Sequence, residues 1–504
     1  MTLSRRTRGA LAAVVLTAVA LTAVGPAVPP ATAAPPVWRS CVRGPDDTPG
    51  RALEAVGARC SEVTVPLDWA RPGGRTVAVA VARIPATDPA HRIGTLVVNE
   101  GGPGDPVIDY LTDRHTALGA TAARFDLVGV DPRFVGRNSP LDCGWSTGTY
   151  FRSAGSGRAG FERTAAFERD LARRCRERAG GLLPYASTRN AARDMDAVRA
   201  VLGEERLSFL GVSYGTYLGE VYTTLFPGRT DRMVLDGVHE PHHLAPWPEY
   251  GTERVAEDAL RHWAGWAAAH DGAYGLGATP DAVLATVAGV QAAAERRPFT
   301  VGGYRLDEHV LPLLVYGALG DDREETDAQF ATMVRTLRRA AEEGSADPDP
   351  ALAEVLPFLL SAEGSAYGST QTAYLCADTP GPRDPEVFRR EIERKRVRHP
   401  LFAPLLNNPT PCLFWPAPRE RPTEVVPDAP ALMVNATGDP RVPYAEASAM
   451  HEKWPGSRMV TVTDSFRHAV YGTGYADACV DEAVNSYLAS GRLPVSDLRC
   501  PGRR

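Results

Sequence analysis

Apolar residues along this chain come in two rhythms. Short, nearly continuous apolar runs at residues 63–69, 76–84, 94–99, 125–130, 207–210 and 233–235 read as strands, the first two separated by the turn Arg71-Pro72-Gly73-Gly74. Between later runs lie segments with helical spacing. Residues 161–178 are rich in Arg, Glu and Ala, and residues 189–202 repeat Ala192, Met195, Val198 and Leu202 before stopping at Gly203. Such strands alternating with helices predict an α/β fold with a mostly parallel sheet covered on both faces. The rhythm breaks after Asp236-Gly237. Residues 252–270, 281–295, 326–343 and 385–397 are helix-like, with proline-rich connections and no convincing strand. The sheet pattern returns at 431–435 and 458–462, and a helix near 479–490 closes the chain. This predicts one α/β domain built from residues 34–240 and 426–504, interrupted by a mainly helical cap at 241–425. A cap there sits above the C-terminal ends of the strands, where open α/β sheets bind their ligands.

The first 33 residues do not read as fold. Ser4-Arg5-Arg6-Thr7-Arg8 is a basic start, residues 10–24 are apolar but short, Pro26 ends the run, and Ala31-Thr32-Ala33 has the small-x-small form of a cleavage site. This predicts a signal peptide cut near Ala33/Ala34, and a secreted, extracellular product with no stable membrane insertion. The eight cysteines suit that compartment: an even number without any C-x-x-C pair points to disulfides rather than to zinc or redox chemistry. Sequential pairing of near neighbours is the simplest connectivity. A net charge of −6 gives no electrostatic reason to bind nucleic acid.

The chemistry centres on residues 207–219. An apolar run enters Gly211-Val212-Ser213-Tyr214-Gly215 and leaves as a helix, the strand–turn–helix setting of a G-x-S-x-G nucleophile elbow. A serine hydroxyl needs a base to take its proton and a carboxylate to orient that base. On this kind of fold they follow in the order serine, acid, histidine, each after a late strand. Asp439 follows the run at 431–435, and His468 follows the run at 458–462. Asp236 and Asp464 are the rival acids. Backbone N–H groups of Tyr214 and Gly102, with Gly101 behind it, are the candidates for holding an oxyanion. The cluster His239-Glu240-Pro241-His242-His243 lacks helical ligand spacing because of its proline, so no metal is expected.

With these residues assembled, the chain resembles the secreted bacterial tripeptidyl aminopeptidases of the prolyl-aminopeptidase family of α/β-hydrolases. The resemblance rests on Gly101-Gly102-Pro103-Gly104, Asp131-Pro132-Arg133, Asp194-Met195-Asp196-Ala197-Val198-Arg199 and residues 211–219, with Phe226-Pro227, residues 233–238, Gly438-Asp439-Pro440, His468 and a terminal Cys479…Cys500 pair. It implies an α/β-hydrolase fold, the triad Ser213–Asp439–His468, an oxyanion hole at Gly102 and Tyr214, and no cofactor. It also implies a monomer that releases short peptides, of tripeptide length, from peptide substrates with free N-termini. A cap carboxylate must then pair with the substrate's ammonium group, and Glu363 and Asp378 are the candidates. An esterase or amidase for small molecules is the alternative with the same triad. Three departures from the family pattern stand out. Asp105-Pro106-Val107 follows Gly104 where x-Ser-Gly is usual, Arg467 and Ala469 flank the histidine in place of glycines, and the first cap helices lack cysteines.

Overall fold

The computed structural model describes residues 35–244, 250–472 and 478–502; the segment read as a signal peptide lies outside them. The strands, in chain order, are β1 (Arg59–Pro66), β2 (Thr76–Ile84), β3 (Gly94–Asn99), β4 (Phe125–Val130), β5 (Leu207–Val212) and β6 (Thr230–Asp236). They continue with β7 (Phe299–Val301), β8 (Tyr304–Leu306), β9 (Ser345–Ala346), β10 (Ala431–Ala436), β11 (Ser457–Thr463) and β12 (Leu498–Pro501). Nine of them form one sheet in the order β1-β2-β4-β3-β5-β6-β10-β11-β12. The β1–β2 and β2–β4 pairs are antiparallel, and the remaining pairs are parallel.

The central strands are buried at nearly every position because both faces are covered, and most of those positions are apolar. Val97, Phe209, Met233, Leu235 and Met433 enter one core, while Leu96, Val98, Leu210, Val212, Val234 and Val434 enter the other. Burying each such side chain stabilises the fold by roughly 1.5–3 kcal/mol. The helix read at 189–202 spans Thr188–Val201, and the Ser187 hydroxyl caps it by accepting from the Asn190 N–H. The first strand begins earlier than its apolar run. Cys60 bridges Arg39 and is disulfide-bonded to Cys41, so an N-terminal segment extends the ladder there.

Residues 241–425 hold strands that their sequence pattern does not announce. β7 pairs antiparallel with β8 and parallel with β9 in a separate small sheet. Gly302 and Gly303, at φ 58° and 85°, turn the β7–β8 hairpin, as a two-residue turn with both residues left-handed requires. Nor does this segment pack as one body. Side chains between Ala256 and Leu406 build a core of their own, but Ala373, Tyr374, Leu375, Cys376, Cys412 and Trp415 belong to the core under the large sheet. The helix Ser365–Asp378 thereby docks the insertion onto the strand ends. Four disulfides join sequential neighbours: Cys41–Cys60, Cys143–Cys175, Cys376–Cys412 and Cys479–Cys500. Among the described residues no helix is long and apolar enough to cross a membrane.

Candidate active site

Ser213 stands between β5 and the helix Tyr214–Leu225 at φ 54° and ψ −126°, a backbone region that non-glycine residues rarely occupy. Its surroundings hold it there. The Ser213 N–H donates to Asp236 O at 2.8 Å, and its carbonyl accepts from the Thr216 N–H at 2.8 Å and the Thr216 hydroxyl at 2.7 Å. The glycines of the motif are required by close approach. A methyl on Gly215 would come within 2.5 Å of Asn99 O, and one on Gly211 would collide with the Gly215 carbonyl oxygen. The wholly buried Phe209 ring also fills the space that a methyl on Gly211 or Gly219 would need.

Asp439, 1% exposed, follows β10. Its Oδ2 lies 2.9 Å from His468 Nδ1, and its Oδ1 accepts from the N–H groups of Arg441 (2.8 Å) and Val442 (3.0 Å). This occupies Nδ1 and leaves Nε2 of the imidazole for other work. Burial pulls the His468 pKa down, but the charge of Asp439 and its hydrogen bond outweigh that and leave it raised. The imidazole and the serine converge around Gly237. A methyl placed on that residue would lie 3.0 Å from His468 Cε1 and 3.7 Å from Ser213 N.

The rival acids lie elsewhere. Asp464 is exposed on the loop before the histidine. Asp236 is fully buried, and its Oδ2 accepts from the N–H groups of Val470 (2.8 Å) and Tyr471 (2.7 Å), so it clamps the far side of the histidine loop. Burial raises its pKa, partly opposed by those two donors.

The loop after β3 packs onto the elbow. A methyl on Gly101 would sit 2.7 Å from Val212 O and 3.1 Å from Ser213 Cβ. The Gly101 N–H is already taken, donating to Asn99 Oδ1 at 3.1 Å. Those of Gly102 and Tyr214 have no acceptor among the described residues, which favours this pair over Gly101 for an oxyanion. Asn99 was not among the sequence candidates, and its place directly before Glu100-Gly101-Gly102 is the signal for it.

The two cap carboxylates separate. Asp378 is buried. Its Oδ1 accepts the Thr188 N–H at 2.9 Å and its Oδ2 accepts the Thr188 hydroxyl, so it satisfies the start of the helix Thr188–Val201. Burial, only partly opposed by those bonds, pushes its pKa up to about 7. The expectation that Asp378 receives a substrate ammonium is corrected: it is a helix-capping acid whose two oxygens are engaged. Glu363 is exposed, directly before the helix Ser365–Asp378. On that helix Tyr367 and Gln371 cover the loop after β3, with Gln371 Nε2 3.5 Å from Gly102 O and the Tyr367 carbonyl against Gly104. These two side chains also escaped sequence reasoning, because their positions carry no local motif. No group of His, Cys, Asp and Glu suited to a metal ion occurs among the described residues.

Residues 94–269 match the family described as alpha/beta hydrolase fold, and residues 399–500 match the family described as TAP-like protein. The chain is 33% identical over 458 residues to a tripeptidyl aminopeptidase of Streptomyces lividans, covering 88% of this chain and 83% of that protein. Serine protease Hip1 of Mycobacterium tuberculosis is 29% identical over 476 residues, with 88% and 87% covered. Carboxylesterase B of the same organism is 31% identical over 506 residues, with 92% and 89% covered. Sheet order, elbow and likeness across nearly the whole chain agree: this is a serine hydrolase of the aminopeptidase type, and it belongs to the tripeptidyl-aminopeptidase family of α/β-hydrolases.

Proposed function

We propose that this chain is an exported, monomeric serine exopeptidase that releases short peptides, of tripeptide length, from free N-termini. Residues 34–240 and 426–504 supply the catalytic domain, and 241–425 the cap. The observation that carries the reading is the 2.9 Å contact of His468 with Asp439 beside the strained Ser213 elbow. Neutral His468 takes the Ser213 proton as Oγ attacks the scissile carbonyl, and Asp439 stays ionised and holds the ring. The developing oxyanion faces the N–H groups of Gly102 and Tyr214. Collapse expels the amine, which receives the proton from His468, and leaves an acyl-enzyme on Ser213. Water, deprotonated by His468, then releases the acyl peptide. Glu363, at the start of the helix covering the loop after β3, is the remaining candidate for holding the substrate's ammonium group. Export is supported by the basic-then-apolar start of the chain and by four disulfides.

The test is release of p-nitroaniline from one tripeptide p-nitroanilide, with its amine free and with it acetylated, by wild type and Ser213→Ala. Cleavage of the free-amine form alone, abolished in the variant, is expected. Equal cleavage of both forms would overturn the exopeptidase reading. It would favour an esterase or amidase, a reading supported by the 31% identity to a carboxylesterase.

A further inference from the structure

The loop after β3 contains two carboxylates that neither the triad nor the oxyanion donors use, Glu100 and Asp105. Where the family pattern places a variable residue followed by serine, this chain has Asp105-Pro106. The Asp105 carboxylate folds back towards the oxyanion loop: a methyl built on Gly102 would lie 3.2 Å from Asp105 Oδ2. The carboxylate is partly buried, and no described residue donates a hydrogen bond to it or forms an ion pair with it. The charges around it make that notable. Glu100, on the same loop, is already bonded twice by Arg114, through Nε at 2.8 Å and Nη2 at 2.6 Å. The phenols of Tyr110 and Tyr367 both feel the Asp105 charge. Arg441, whose charge also reaches Tyr367, donates to the carbonyls of Tyr316 and Gly317 at 3.0 Å.

A partly desolvated carboxylate beside another carboxylate is unfavourable until a cation reaches it. Here the disadvantage grows during the reaction. Negative charge develops on the oxyanion at the Gly102 N–H, and an unneutralised Asp105 next to that residue repels it. A substrate carrying a positive group at this place relieves both effects and forms a charge-assisted hydrogen bond. Resting on the serine-peptidase reading above, we propose that Asp105 is a specificity-determining residue, a receptor for a substrate ammonium or guanidinium group immediately beside the scissile carbonyl. Two sources supply that chemistry: the side chain of a Lys or Arg on the acyl side of the bond, which fits release of a tripeptide with Glu363 left to the α-ammonium, or the α-ammonium itself, which would shorten the released unit to a single residue.

Hydrolysis of p-nitrophenyl butyrate tests the site without requiring peptide cleavage. In wild type, n-butylammonium is expected to compete about tenfold to hundredfold better than n-butanol, the range for a hydrogen bond to a charged group. Asp105→Asn should bring that ratio close to one and Asp105→Glu should retain part of it. Ratios are taken within each variant, so altered turnover or folded fraction cancels. The wild-type ratio should fall as pH drops through about 6, where burial, with repulsion from Glu100, places the Asp105 carboxyl. Alanine p-nitroanilide with its amine free or acetylated, and Ala-Ala-Lys against Ala-Ala-norleucine p-nitroanilide, distinguish the sources. The pair whose preference Asp105→Asn removes names the cation. A competition ratio of one in wild type, or any ratio unchanged in Asp105→Asn across all three pairs, overturns the proposal. Absent anilide cleavage with ammonium competition intact would sink the exopeptidase reading alone and leave the Asp105 site supported.

Discussion

Two loops meet at Ser213, and they treat their polar groups differently. In the histidine loop, the Phe466 N–H donates to Asp322 Oδ2 at 2.7 Å, Arg467 pairs with Asp321, and the His468 N–H donates to Gly320 O at 3.0 Å. Asp236 fastens the N–H groups of Val470 and Tyr471, and the Phe466 ring stacks on His262 at 4.3 Å. In the loop after β3, by contrast, the N–H of Gly102 and the carboxylate of Asp105 have no partner among the described residues. One arginine ties the loops together, since Arg114 binds Glu100 on one and Tyr471 O, at 2.9 Å, on the other. The difference separates two tasks. In the proposed reaction His468 is the general base, which works only if its ring is held in one orientation, and its loop is saturated with contacts. The loop proposed to receive substrate leaves a donor and a charge without partners among the described residues.

The largest expected effect comes from loosening the base itself. Asp439→Asn should lower kcat/KM for peptide anilides by about 10⁴-fold, as loss of the orienting carboxylate does in serine triads, with an unchanged thermal melt. The same variant should move the acid limb of the pH profile. His468 must be unprotonated to act, so activity rises through its pKa. In wild type Asp439 raises that pKa above the ordinary 6.5, and the variant should shift the limb to lower pH. Next comes the receiving loop. Gly101→Ala would place a methyl against Val212 O and Ser213 Cβ at φ 108°; kcat should fall by about 10²–10³-fold, the scale of a lost oxyanion donor. A loss below threefold would show that this loop does not need its close approach.

Smaller effects probe what holds the histidine loop. Asp236→Ala removes the acceptor of two buried N–H groups and should lower the unfolding free energy by about 2–3 kcal/mol, read as a lower urea midpoint at unchanged slope. The smallest change is Ala469→Gly. Ala469 sits at φ 60°, where a side chain costs roughly 1–2 kcal/mol, while glycine loses about 0.5–1 kcal/mol of chain entropy. The two nearly cancel, so stability should stay within about 1 kcal/mol. A larger gain would mean that the histidine loop holds more backbone strain than its contacts offset.

Much of this was legible before any coordinates, and for one reason. Elbow, strand and helix signals depend on residues within a few positions of each other. Leu207–Val212 is buried on both faces and apolar but for Ser208 and Gly211, and Gly211 answers to the carbonyl of Gly215 only four residues on. The helical face at Ala192, Met195 and Val198 is set by the 3.6-residue turn. The β7–β8 hairpin escaped because three-residue strands are too short to show alternation, although Gly302-Gly303 between Val301 and Tyr304 is a two-residue turn signal.

What the sequence by itself determined, then, was the class of fold, the elbow that carries Ser213, the order in which Asp439 and His468 follow it, and the glycine loop facing them. The tertiary structure decided what local pattern leaves degenerate. Asp236 ends β6, and Asp439 follows β10, the parallel neighbour of β6. Only the adjacency of β6 and β10, and the reach of the histidine loop across them, gives Asp439 the imidazole and Asp236 the backbone. Glu363 and Asp378 both flank one helix, and docking of that helix buries one under Thr188 and leaves the other exposed. Asp105 is one more polar residue in a loop until the fold sets its carboxylate beside Gly102 without a partner. Each of these choices depends on contacts between residues far apart in the chain, and those exist only once the sheet has closed its order and the insertion has packed against it.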